Sequence, residues 1–225
     1  MFIKKINPKS FESTASNFLK IRIEALLQAK AAVHIALPGG FTPMPILKLL
    51  ANENLDWARV CFYQTDERIV HTNNKENNYS LLNAVFFSHI NALSFPMYTG
   101  EYSPEESCES YIKKLGKLET HNNIPRFDLI VLGMGEDGHI ASLFPNASLL
   151  SEPNKWAALD QEKRKGTYRM TLCFPVLLNA NETVLLITGP NKIKLIEDRA
   201  ARKNLPIEIL INQNQNLTVL CSKGQ

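Results

Sequence analysis

The stretch Phe127 to Pro145, FDLIVLGMGEDGHIASLFP, decides how this chain is read. Phe127 and the run Leu129 to Leu132 have the apolar, β-branched character of a short buried strand. A glycine-rich turn follows and ends in Asp137-Gly138-His139. Glycine lets backbone turn sharply and come close to a ligand. Imidazole is the side chain whose charge changes most readily near neutral pH. A general base delivered to the end of a buried strand, beside such backbone, is what an enzyme active site requires.

Outward from this stretch, strand and helix patterns alternate. Phe11 to Lys30 has a helical rhythm in Phe18, Ile21, Ala25 and Leu26. Val33 to Leu37 reads as a strand, Pro43 to Ala51 as a helix and Val60 to Tyr63 as a second strand. Thr72 to Asn78 is polar and reads as a loop, and Tyr79 to His89 as a helix. Pro104 to Leu118 reads as a helix with Ser103 as its N-cap and Pro104 at its first position. Thr167 to Cys173, Thr183 to Thr188 and Leu217 to Cys221 read as strands, and Asn191 to Ala201 as a helix. This order predicts an α/β fold over residues 1–225 as a single domain. Its sheet is expected to be mostly parallel and Rossmann-like, with helices on both faces. Ligands bind beyond the carboxyl ends of such strands, so the loops that follow strands carry the function. Asn146 to Gly166 is the least regular segment and reads as a surface excursion.

Composition narrows the class. At 225 residues and 44% hydrophobic, the chain can bury a sizeable core. The net charge of +3 arises from interspersed charges, and the longest basic cluster, Lys163-Arg164-Lys165, reads as a solvated loop. No nucleic-acid partner and no membrane partner are expected. Cys61, Cys108, Cys173 and Cys221 lack CxxC spacing and read as free thiols. The N-terminal MFIKKINPKS has no apolar signal core, and a cytoplasmic location is the expectation.

Four segments are candidates for one site. In Pro38-Gly39-Gly40-Phe41-Thr42-Pro43, Gly39 and Gly40 turn the backbone, Thr42 suits an N-cap, and the free N–H groups suit a phosphate. It is not a P-loop, because GxxxxGK[ST] is absent. In Thr65-Asp66-Glu67-Arg68, Arg68 suits an oxyanion, while Asp66 or Glu67 suits the orientation of a base or the binding of hydroxyls. Gly133 to Gly138 matches GxGxxG after a strand, but Glu136 and Asp137 would repel a pyrophosphate and Pro145 leaves no room for the helix behind it. Arg169, at the start of a strand pattern, and Lys192, at a strand-to-helix turn, are cations that could grip a phosphate if both reach Gly39.

In this order and spacing, the segments resemble the 6-phosphogluconolactonase family, within the wider group that includes glucosamine-6-phosphate deaminases. The most specific element is LGMGEDGHIASLFP, Leu132 to Pro145, supported by PGGFTP, TDERIV, RMTL, the run Asn77 to Phe87 and TGPNK. The deaminases share much of this but place a catalytic acid just before the proline, where this chain has Phe144. The resemblance implies hydrolysis of 6-phospho-D-glucono-1,5-lactone to 6-phosphogluconate in the oxidative pentose phosphate pathway. It implies His139 as general base, with Asp137, Asp66 or Glu67 holding the imidazole or binding hydroxyls. Gly39, Gly40, Thr42, Arg169 and Lys192 would hold the phosphate. The partner is then a small sugar-phosphate lactone, and neither a metal nor any other cofactor is needed. Whether the protein is a monomer or a homodimer is left open.

Overall fold

The computed structural model describes residues 1–224. In chain order the strands are β1 (Phe2–Lys5), β2 (Val33–Leu37), β3 (Val60–Gln64), β4 (Asp66–Arg68), β5 (Leu93–Phe95), β6 (Thr120–His121), β7 (Ile124–Pro125), β8 (Leu129–Leu132), β9 (Ala157–Leu159), β10 (Arg169–Leu172), β11 (Thr183–Thr188) and β12 (Leu217–Ser222). The helices are α1 (Phe11–Ala29), α2 (Pro43–Leu50), α3 (Asn78–Val85), α4 (Pro104–Leu115), α5 (Phe174–Leu178), α6 (Pro190–Glu197) and α7 (Pro206–Gln213).

Seven strands form one sheet in the order β1-β12-β11-β8-β2-β3-β5, and every neighbouring pair is parallel. Central β8 is buried at all four residues. Strand side chains alternate across the sheet, and here both faces are covered. Leu129 and Val131 join one apolar cluster with Leu19 and Ile23 of α1 and Ile46 and Leu47 of α2. Ile130 and Leu132 join the other, with Tyr111 of α4, Ile193 of α6 and Ile207 of α7. That double burial explains why β8 reads as an unbroken apolar run rather than an alternation. The winding direction reverses between β2 and β8, where an open parallel sheet leaves a crevice beyond its strand ends.

Several elements differ from the sequence expectation. Asp66-Glu67-Arg68 is not a loop but strand β4, paired antiparallel with β10 in a separate three-stranded sheet with β9. Its charged residues hide a strand because their partners come from β10, about a hundred residues downstream in the chain. Strand β9 and a short 3-10 turn, Ser148–Ser151, also give the segment Asn146 to Gly166 more order than an excursion. Helix α6 ends at Glu197, short of the expected Ala201. Helix α7 lies outside the expected elements; Pro206 and the spacing of Ile207 and Leu210 are its sequence signal. Ser103 does cap α4, in a reciprocal capping box with Glu106.

Glu67 has no contact with solvent. Its carboxylate accepts from the backbone N–H groups of Arg68, Asn78 and Tyr79 at 2.7–2.8 Å and from the Gln64 amide at 2.8 Å. It therefore ties β4 to the start of α3, where the helix dipole favours an anion. Burial pushes its pKa up to about 7, against the pull of those donors.

A carboxyl group with a raised folded-state pKa removes stability as it ionises. Wild-type stability is thus expected to fall as pH rises from about 4.5 to about 7, and Glu67→Gln should lack that component. The amide also cannot satisfy three backbone donors, at a cost of about 1–3 kcal/mol for each N–H left unpaired. Urea unfolding of both proteins across that range measures both effects.

Candidate active site

The loops after β2, β3, β8 and β11 converge on one cleft. Its walls include Gly39, Gly40, Phe41, Thr42, Asp66, Arg68, Asn78, Gly133, Gly135, His139, Ala141 and Lys192. The sequence places these residues in five separate stretches, and the fold brings them together at the strand ends of the parallel sheet.

The turn after β8 is closed by its own backbone. Gly135 N–H donates to the His139 carbonyl at 2.9 Å, and Gly138 N–H donates to the Gly135 carbonyl at 3.1 Å. Gly138 has φ +76, and the Ile207 N–H of α7 donates to its carbonyl at 3.1 Å. A Cβ on Gly135 would sit 2.1 Å from His139 Cε1, so the imidazole occupies space that any other residue would fill. No helix follows the three glycines, as a dinucleotide fingerprint would require.

His139 Nδ1 and Asp137 Oδ1 are 2.5 Å apart. The carboxylate accepts only, so it selects the tautomer with hydrogen on Nδ1 and leaves Nε2 as the acceptor. That hydrogen bond holds the Asp137 pKa down, from an ordinary 3.8 to about 2. The ring is 18% exposed at the side chain, partly shielded yet open to the cleft.

Asp66 also faces the cleft. Its Oδ2 accepts from the buried Ser142 hydroxyl at 2.6 Å, and its Oδ1 from Thr65 Oγ1 at 3.2 Å. Asn78 donates from Nδ2 to the Asp66 carbonyl at 3.0 Å, so its amide is tied to the same wall. Asn78 and Ser142 were not singled out from sequence; each is one polar residue among many until the fold places it. Arg68 gives one N–H to the Glu76 carbonyl at 2.6 Å and presents its guanidinium to the cleft. Lys192 is partly shielded, with its nearest carboxylate, Glu136, 3.9 Å away.

Three expectations need correction. Glu67 is not on the cleft wall, because its oxygens are fully engaged in tying β4 to α3. Thr42 stands at the N-cap position of α2 as expected but makes no side-chain capping bond; its hydroxyl lies 3.0 Å from that of Thr188 and links the loop after β2 to the end of β11. Arg169 is not on the wall either. It is 6% exposed, pairs across strands with Arg68 and donates to the Arg164 carbonyl at 3.3 Å. Burial and then the Arg68 charge lower its pKa. Arg169 thus backs Arg68 with a second cation.

Comparison with known proteins gives the family and the fold. The model of the family described as glucosamine-6-phosphate isomerases/6-phosphogluconolactonase matches residues 7–219. A probable 6-phosphogluconolactonase of Dictyostelium discoideum is 34% identical over 86% of this chain and 84% of its own. The 6-phosphogluconolactonase of Treponema pallidum is 30% identical over 82% and 79%. The crystal structure of 6-phosphogluconolactonase from Thermotoga maritima superposes with a TM-score of 0.85 at 26% identity, covering 100% of this chain and 99% of that one.

A carboxylate with a lowered folded-state pKa supplies stability that is lost as pH falls through that pKa. The stability gap between wild type and Asp137→Asn is therefore expected to be full above about pH 4 and to close toward about pH 2. Thermal unfolding of the two proteins over this range checks it.

Proposed function

We propose a mechanism for a chain that belongs to the family of glucosamine-6-phosphate isomerases and 6-phosphogluconolactonases. Its activity is hydrolysis of 6-phospho-D-glucono-1,5-lactone to 6-phospho-D-gluconate, a step of the oxidative pentose phosphate pathway, in keeping with relatives named 6-phosphogluconolactonase that match most of its length. The observation that carries the mechanism is that His139 and Lys192 line the same cleft. A proton acceptor for water and a cation for a phosphate thus face one substrate-sized space.

Nε2 of His139 takes a proton from a water molecule as its oxygen attacks C1 of the lactone. Asp137 holds the ring and stabilises the imidazolium that forms. The carbonyl oxygen becomes an oxyanion. In the turn after β8 the N–H groups of Gly135 and Gly138 are already spent on backbone carbonyls. Arg68 gives one of its five N–H groups to Glu76 and has others for the oxyanion. When the tetrahedral intermediate collapses, the bond from C1 to the ring oxygen breaks and the imidazolium returns its proton to that oxygen. Asp66, held by Ser142 and Thr65, and Asn78 face the sugar hydroxyls.

The phosphate sits between Lys192 and the loop after β2. Among the described residues, no protein acceptor takes the N–H groups of Gly39, Gly40 or Phe41, so they are available to an anion. Gly39 must be glycine for space, since a Cβ there would meet Asn78 Oδ1 at 2.0 Å. A remote anchor of this kind positions the carbonyl against the water and raises the rate as well as the affinity. Phe144, at the position of the deaminases' acid, cannot move protons on an amino sugar, so ammonia release from glucosamine 6-phosphate is not expected.

A coupled assay with freshly generated lactone, corrected for spontaneous ring opening, tests the mechanism. His139→Ala is expected to lower kcat by roughly 10²–10⁴-fold, the usual worth of a general base; wild-type turnover would exclude His139. Lys192→Ala should impair use of the phosphorylated lactone far more than of unphosphorylated gluconolactone. Equal losses on the two substrates would remove the lysine from phosphate binding.

A further inference from the structure

Asp137 holds the His139 ring at one atom only, and a single hydrogen bond leaves a ring free to pivot about that contact. The Phe144 ring supplies a second restraint. The two ring centroids are 4.3 Å apart with planes tilted by 31°, and Phe144 is 7% exposed. The imidazole edge fills the space that a side chain at Gly135 would take, since a Cβ there would lie 2.1 Å from Cε1 and 2.2 Å from Nδ1. The Arg164 guanidinium lies 5.6 Å from the centre of the Phe144 ring. Arg164 is itself held by Asp160, a buried carboxylate, at 2.9 Å and by Glu162 at 2.9 Å.

We infer that Phe144 is a positioning residue for the general base, and that Arg164, from the basic cluster otherwise read as a solvated loop, braces it from the segment between Asn146 and Gly166. The inference rests on the reading of His139 as the base. The argument is steric rather than electrostatic. Two carboxylates already match the Arg164 charge, and what Arg164 and the imidazole share is contact with the Phe144 ring. Stacked aromatic groups at such separations attract one another, so the imidazole is fixed in angle as well as at Nδ1. Its Nε2 then meets the attacking water in one direction. The brace also gives the ordered excursion with β9 a purpose at the site, since it brings Arg164, held by Asp160, to the Phe144 ring.

A double-mutant cycle tests this. Phe144→Leu is expected to lower kcat about 10-fold with KM nearly unchanged, within the roughly 10²-fold that a 1 Å misplacement can cost. Phe144→Tyr keeps the ring and is expected to keep kcat. In a His139→Ala background there is no imidazole to aim, so Phe144→Leu should cause no further loss of the residual rate. An equal loss in both backgrounds would make Phe144 merely structural and overturn the inference, as would full kcat in folded Phe144→Leu. The reading of His139 fails separately, if His139→Ala alone retains wild-type kcat. Should Phe144→Leu not fold, Arg164→Lys carries the test. It keeps a cation for Asp160 but loses the planar layer, and about a 2–3-fold fall in kcat is expected at unchanged KM; unchanged kcat would overturn the inference.

Discussion

Strand β8 is buried on both faces, so its backbone groups can be satisfied only by neighbouring strands. It lies between β2 and β11, and this pairing sets where its last residue, Leu132, leaves the sheet. Everything chemical follows from that exit point. The turn that begins at Gly133 emerges beside the end of β2, where the winding of the sheet reverses. The loop after β2 supplies backbone donors, β11 leads directly into Lys192, and the turn itself carries His139. A strand displaced by one position would separate His139 from Lys192 and Arg68.

The other wall depends on a different economy. Asp66, Glu67 and Arg68 are adjacent in sequence, yet the fold gives them three separate tasks. Side chains alternate along β4, so Asp66 and Arg68 face the cleft while Glu67 turns inward and binds α3. Burying a carboxylate without a cation is costly, and four donors offset part of that cost. The result is a rigid support under Arg68 and Asn78. Behind them, Arg169 is opposite Arg68 in β10, so two guanidinium groups share one side of the sheet. The pairing concentrates positive charge near the cleft while only one of the two forms its wall.

Much of this was legible in the chain itself. Strands such as Val33–Leu37 and Thr183–Thr188 are mostly apolar and mostly buried, and their limits match their pattern because burial of a central strand on both faces demands apolar side chains. Edge and accessory strands were not legible. In β1, Phe2-Ile3-Lys4-Lys5 is mostly exposed and carries no alternation, and only its partner β12 makes it a strand. Strand β4 is charged, and β9 is three residues long. Helix α7 is short, and its sequence signal is only Pro206 and the spacing of Ile207 and Leu210, although it closes the underside of the Gly138 turn.

The sequence by itself determined the parallel α/β architecture, the identity of the imidazole with its neighbouring Asp137, and the glycines around them. Those features are local: an apolar run, a turn chemistry, a spacing of two residues. Tertiary structure alone decided which polar residues reach the cleft. It turned Glu67 inward, set Arg169 behind Arg68, sent the Thr42 hydroxyl to Thr188, and brought Asn78, Ser142 and Phe144 to the site. Direction and burial are properties of how strands pair and pack across long separations, and no residue carries them in its own chemistry.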